Sequence, residues 1–257
     1  MSFAASAARS ACESDVMSQL DPTASGFYGK LPGLGDFVSR RLPAQFVQPW
    51  DLWLRESLAA SRAHLAQEWL DHYLTSPLWR FVLAPGIAGQ FGWAGVLMPS
   101  VDRVGRYFPL TLACPLEAAA NPFQVLCRTD WFERAETVAL MGLEDAFDLE
   151  AFDTQVLALG AAGPKPLSSV VFPSDSQGRD AWQIPISSPD DLSHACPVLL
   201  ARAMEELFFA YSLWWTAGSE RVAPSLLTCQ GLPAPDGFAA LLAGDWAGRG
   251  WLRLGPA

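Results

Sequence analysis

The apolar residues of this chain change their period within its first half, and that change restricts the fold to helices packed on a sheet. Phe46, Val47, Trp50, Trp53, Leu54 and Leu58 recur at intervals of three and four, which aligns them along one stripe of a helix entered at Pro43. Leu65, Trp69, Leu70 and Tyr73 continue the spacing towards Pro77, as a second helix or as the first one after a bend. Trp79–Leu83, Gly92–Met98 and Tyr107–Cys114 are then short, largely apolar runs separated by Pro, Gly, Asp and Ser, the pattern of strands in a buried sheet. Helical spacing returns from Asp130 to Met141, where Asp130 and Glu133 have the spacing of a capping box, and again from Leu149 to Leu159 after Asp148. The expected class is therefore α/β or α+β, a mixed β-sheet covered by helices in a sandwich-like arrangement.

Residues 1–24 are rich in Ala, Ser and Asp without sustained period and read as a mobile tail. Residues 25–160 form a first lobe, and the Gly163, Pro164, Lys165, Pro166 stretch marks the boundary to a second, 161–257, packed on the same sheet or core. In that second lobe Val170–Phe172 and Trp182–Ile186 are expected as strands and Pro197 to Tyr211 as an apolar helix. Leu213–Trp215 and Ser225–Cys229 follow as strands, with Gly237–Leu242 as a closing helix.

The 257 residues carry 17 Lys plus Arg against 27 Asp plus Glu, a net charge of −10 that repels nucleic acid and anionic lipid unless the bases gather on one face. They do not: the densest basic points, Arg40 with Arg41 and Arg103 with Arg106, sit among apolar and turn residues as local anchors. Hydrophobic residues make up 51% and charged ones 17%, which implies extensive burial or an apolar surface covered by a partner. The five cysteines are odd in number, widely spaced and free of metal-type pairs, as suits a reducing compartment. With no signal segment and no run of 18 apolar residues, the expected location is the cytoplasm, without membrane insertion.

Few residues offer chemistry. His64, Glu68 and His72 advance one helical turn at a time beside Asp71, yet they do not form a zinc motif and read as a solvated helix face. Ser100 follows an expected strand, but the surroundings are not G-x-S-x-G and the downstream His194 reads as part of a turn before a helix. The glycine-rich run from Gly29 to Asp36 matches no phosphate-binding pattern. No catalytic set, metal site or cofactor is expected. Asp102 with Arg106 reads as a loop clamp or a recognition element, with Arg103 beside it, and Asp36 with Arg40 repeats the four-residue relation. Trp214 and Trp215, adjacent on a strand, must face opposite sides, so one fills the core while the other reaches a helix layer or an interface.

Gly26–Pro32, then Gly35–Val38, and later Trp50, Asp51, Trp53 and Leu54 resemble the opening signature of the TagF (ImpM) family of type VI secretion accessory proteins. Pro99–Leu110 resembles its second signature, and Trp214, Trp215 and Gly231–Pro233 are similar to its later landmarks. The resemblance implies a bacterial, Gram-negative, cytoplasmic protein that restrains type VI secretion after translation by protein binding. Its implied partner is the system's forkhead-associated domain scaffold protein. Asp36, Arg40, Ser100, Asp102, Arg103, Arg106, Trp214 and Trp215 are then the candidate interaction or loop-anchoring residues. Two rival readings are a hydrolase using the Ser100, Asp102, Arg103, Arg106 loop and a structural component of the secretion apparatus.

Overall fold

The three apolar runs at the centre of the chain become the middle of a seven-stranded sheet in a computed structural model that describes residues 24–118, 120–163 and 192–254. The strands are β1 (Gly26–Gly29), β2 (Val38–Arg40), β3 (Trp79–Leu83), β4 (Trp93–Met98), β5 (Leu110–Pro115), β6 (Tyr211–Thr216) and β7 (Ser225–Gln230), in the spatial order β2-β1-β5-β4-β3-β6-β7. The expected sheet covered by helices is present. Every pairing among the described strands is antiparallel, so the parallel component of a mixed sheet is not found there, and of the two classes allowed α+β applies. The later strands extend this sheet, with Phe81 of β3 opposite Trp214 of β6. The expected tail, apart from Ala24, the Pro164–Pro166 stretch and the strands Val170–Phe172 and Trp182–Ile186 lie outside the described residues.

Helices cover both faces. On one side lie α1 (Ala44–Leu65), α2 (Trp69–Leu74) and α7 (Phe238–Ala243); on the other lie α3 (Pro122–Leu126), α4 (Thr129–Met141) and α5 (Leu149–Ala158). A further helix, α6 (Leu192–Leu207), begins five residues before the expected Pro197, so the turn expected at His194 is helical. The period-2 geometry of strands sorts the side chains: Trp79, Phe81, Leu83, Trp93 and Leu97 point to the α1 side, while Val82, Ala94, Val96 and Met98 point to the α4 side. Trp214 and Trp215 obey the same rule, Trp214 being fully buried against Trp50 and Phe81 and Trp215 packing edge-on against Phe132 of α4.

Local sequence explains two of the helix starts. Asn121 accepts hydrogen bonds from the amides of Phe123 and Gln124 ahead of α3, with Pro122 in the first turn, and Asp148 accepts from the Ala151 amide at the start of α5. The capping box expected at Asp130 does not form. Helix α4 begins one residue earlier, and the Asp130 carboxylate is instead held at 3.1 Å by the Arg128 guanidinium, a charge-assisted contact that competes with the amide donors. Among the described residues no helix is long and apolar enough to cross a membrane.

Candidate functional site

Asp102 sits in the loop between β4 and β5 with no exposed side-chain surface, and a buried carboxylate must find donors for its oxygens. Four arrive. Lys30 Nζ donates at 2.7 Å and Arg106 Nε at 2.6 Å to Oδ2, while the amides of Val104 and Arg106 donate to Oδ1 at 3.0 and 2.8 Å. Burial by itself raises the carboxyl's pKa, but the hydrogen bonds from Lys30, from the Arg106 amide and side chain, and from Val104 outweigh it and hold Asp102 well below the usual carboxylate range. Two cations share one carboxylate, so the cluster keeps one uncompensated positive charge.

The same loop is stitched to residues 30–37. The Ser100 hydroxyl donates to the Lys30 carbonyl at 2.7 Å, the Arg103 amide to the Leu34 carbonyl at 2.9 Å, and Arg106 Nη2 to the Gly35 carbonyl at 2.5 Å. Lys30 is itself buried, 4.9 Å above the ring of Phe37. From the other side Tyr73 of α2 clasps Ser100, donating from its hydroxyl to the Ser100 carbonyl and accepting from the Ser100 amide. Sequence reasoning missed Lys30 and Tyr73, since nothing local signals that Asp102 has a partner 72 residues away or that Tyr73 bonds a loop rather than only filling a stripe.

Tyr73 reaches that loop because the first helix breaks. Ala66 adopts φ 47°, outside helical space, and its amide turns back to the Arg62 carbonyl. In one continuous helix residues 61 and 69 would lie about 12 Å apart along the axis. Here the Trp69 indole donates to Ser61 Oγ at 2.9 Å, and the Arg62 guanidinium lies 4.2 Å over the Trp69 ring. The break also separates His64 from the other members of the possible metal set: His64 faces Asp236 at 3.4 Å, whereas His72 faces Glu68 at 3.9 Å. Among the described residues no group of His, Cys, Asp or Glu is arranged to hold a metal ion.

Between the helix break and the Asp102 loop opens a cleft of about 540 Å³ lined by Arg62, Trp69, Leu70, Gly105, Arg106 and Tyr107. A second, of about 440 Å³, includes His64, Cys229 and Asp236. Burial pushes the Cys229 thiol up, away from the thiolate needed for nucleophilic chemistry. Ser100 is no better placed as a nucleophile, because it is buried and its hydroxyl hydrogen is committed to the Lys30 carbonyl.

The remaining sequence candidates are dispersed. Asp36 and Arg40 do not pair, which corrects the four-residue relation. Asp36 accepts from the neighbouring Phe37 amide, while strand β2 carries the Arg40 side chain to Glu150 and Asp153 of α5, at 3.0 and 3.8 Å. Arg103 contributes its amide to the loop but leaves its side chain exposed. Trp214 and Trp215 lie within the two core layers, and among the described residues their ring contacts and indole hydrogen bond go to core residues and Ser212, not to the Asp102 cluster.

A family model described as the TagF N-terminal domain, type VI secretion system-associated, matches residues 26–159, which span both stitched loops and the broken helix. The crystal structure of PA0076 from Pseudomonas aeruginosa PAO1 is similar with a TM-score of 0.76 and 41% sequence identity, covering 91% of this chain and 99% of that one. No curated protein matches the chain.

Proposed function

Because the chain belongs to the TagF family of type VI secretion system-associated proteins, we propose that it is a regulator that acts by protein–protein binding and restrains assembly of the secretion system after translation. The direct partner in this reading is the system's forkhead-associated scaffold protein, met in the cytoplasm. One observation carries it: Lys30 and Ser100, Asp102 and Arg106, drawn from the two signature segments, spend their donors and acceptors on one another and on the loop backbone instead of aiming them at a reacting group. Such a network holds a surface in shape. The hydrolase alternative needs Ser100 free beside a base, and its committed hydroxyl does not support that. No observation favours a purely structural part of the apparatus.

The test combines overproduction with binding. Overproduced protein should lower secretion without lowering the amounts of the secretion components, and purified protein should capture the forkhead-associated scaffold. Unchanged secretion together with no complex rejects the reading, and cosedimentation with assembled sheath in place of soluble behaviour transfers support to the structural alternative.

A further inference from the structure

The cleft between the helix break and the Asp102 loop is cationic in a chain whose net charge is −10, and its lining holds no carboxylate. Among the described residues Arg62 has no ion-pair partner. Its guanidinium lies over the Trp69 ring, and among the described residues its N–H groups make no hydrogen bond. Arg106 is fixed by Asp102 and the Gly35 carbonyl and brings the charge that Asp102 leaves uncompensated. Trp69, Leu70 and Tyr107 give the cleft an apolar wall, and the Tyr107 hydroxyl makes no hydrogen bond among the described residues.

We propose that this cleft is the docking site for the protein partner and that it takes an Asp or Glu side chain flanked by an apolar residue on a partner segment. The proposal rests on the reading of the protein as a binding regulator and adds where, and by what chemistry, the partner is read. A carboxylate fits better than a phosphoryl group. Phosphate sites draw on several backbone N–H groups at once, and here those of the loop are spent: Arg103 on Leu34, Val104 and Arg106 on the Asp102 carboxylate, and Gly105 on the Asp102 carbonyl. What stays open is the guanidinium of Arg62, whose planar fork matches a carboxylate, with the charge of Arg106 beside it.

The test uses the purified full chain and a fluorescein-labelled, end-blocked Leu-Glu-Leu peptide flanked by glycines, with counterparts carrying Gln or phosphothreonine at the centre. The Glu peptide should bind, the Gln peptide should lose most of that affinity, R62A should weaken binding about tenfold and R62E abolish it. R62K should fall between R62A and the parent, and it keeps the test open should the charge reversal disturb folding, which thermal melts report. No binding of the Glu peptide at millimolar concentration, equal binding by R62A, equal binding of the Gln peptide, or preference for the phosphothreonine peptide overturns the proposal. The forkhead-associated scaffold, titrated with the same variants, separates the two levels. If it binds the parent and R62E alike, the cleft is the wrong site while the regulator reading stands. If it does not bind the parent, the scaffold is the wrong partner and the peptide series alone decides the cleft.

Discussion

The two faces of the sheet are both tightly buried, but they are held by different physics. On the α4 side the contacts are mostly aliphatic, Val82, Val96, Leu112 and Val138 among them, with one bidentate ion pair from Arg80 to Glu136 at 2.7 and 2.8 Å. On the α1 side the core is aromatic, and its indoles are tied as donors: Trp50 to Thr111, Trp53 to the Pro233 carbonyl, Trp69 to Ser61, Trp79 to the Leu241 carbonyl and Trp214 to Ser212. Shape specifies most of the first face, where directional contacts are few, the Arg80–Glu136 pair and the Trp131 indole on the Gly160 carbonyl among them, whereas direction as well as shape specifies the second. The directional face also reaches the signature loops, since Tyr73 carries its order to Ser100. The proposed docking cleft thus adjoins the less forgiving side of the molecule.

The largest test of that contrast is to remove the strands both faces share. Cutting the chain after residue 160 deletes β6, which lays Trp214 on one face and Leu213 on the other. We expect the fragment to aggregate or to show no cooperative melt; a soluble fragment with a sharp transition would mean that residues 25–160 fold alone. Next, Trp50→Ala should cost about 3–5 kcal/mol by urea unfolding. Trp50→Phe keeps a ring but strands the Thr111 hydroxyl and should still cost about 1–3 kcal/mol. Leu112→Met on the aliphatic face should cost less than about 1.5 kcal/mol. Equal losses for the two conservative changes would erase the difference between the faces.

Asp102→Asn probes the polar end of the directional face. It should lower Tm by about 5–10 °C at neutral pH by leaving Lys30 buried without its charge partner. Because the folded chain holds Asp102 below its ordinary pKa, the unfolded chain takes up that proton first as acid is added. The stabilisation is therefore full above about pH 4 and lost as pH falls below it. The Asn variant should show a shallower loss over that window, and parallel pH profiles would mean that Asp102 contributes none of the acid sensitivity.

The smallest effects come from close packing and from the arginine pair. Gly95 lies where any Cβ would overlap the Phe81 ring and the Leu112 carbonyl, so Gly95→Ala should cost about 1–3 kcal/mol, seen as a shifted urea midpoint with an unchanged slope. Arg106→Ala should cost about 1–2 kcal/mol because it removes donors from Asp102 and Gly35. Arg103→Ala should change stability by less than about 0.5 kcal/mol, since only its backbone is engaged. Matching melts for the two alanine variants would show that the Arg106 bonds do not hold the loop.

How much of this was legible depended on the range of the interaction. The stripe from Phe46 to Leu58, the strands at Trp79–Leu83 and Gly92–Met98 and the helix after Asp148 are local patterns that appear where the spacing puts them, while the third central strand starts at Leu110, three residues after the expected Tyr107. Strand order is set by non-local pairing and left no trace in the sequence, and the three-residue edge strand β2 is too short to show a period between the glycine-rich run and Pro43. At the site, Asp102 with Arg106 was visible because both ends lie four residues apart. Lys30 was hidden by distance along the chain, and Arg62 stayed unseen because its role depends on the break at Ala66, which no proline or glycine announces.

The stacked indoles have an optical consequence. Trp50 and Trp214 lie 5.9 Å apart and within 5° of parallel, and the Trp53 ring centroid lies 4.9 and 5.4 Å from theirs. At such separations their electronic transitions couple, so the three absorb as one chiral unit and not as separate chromophores. The far-ultraviolet circular dichroism, where the intense indole transition lies, should therefore carry a paired-sign contribution that weakens when any one of the three rings is replaced, an internal readout of whether the sheet and its first helix are still in register.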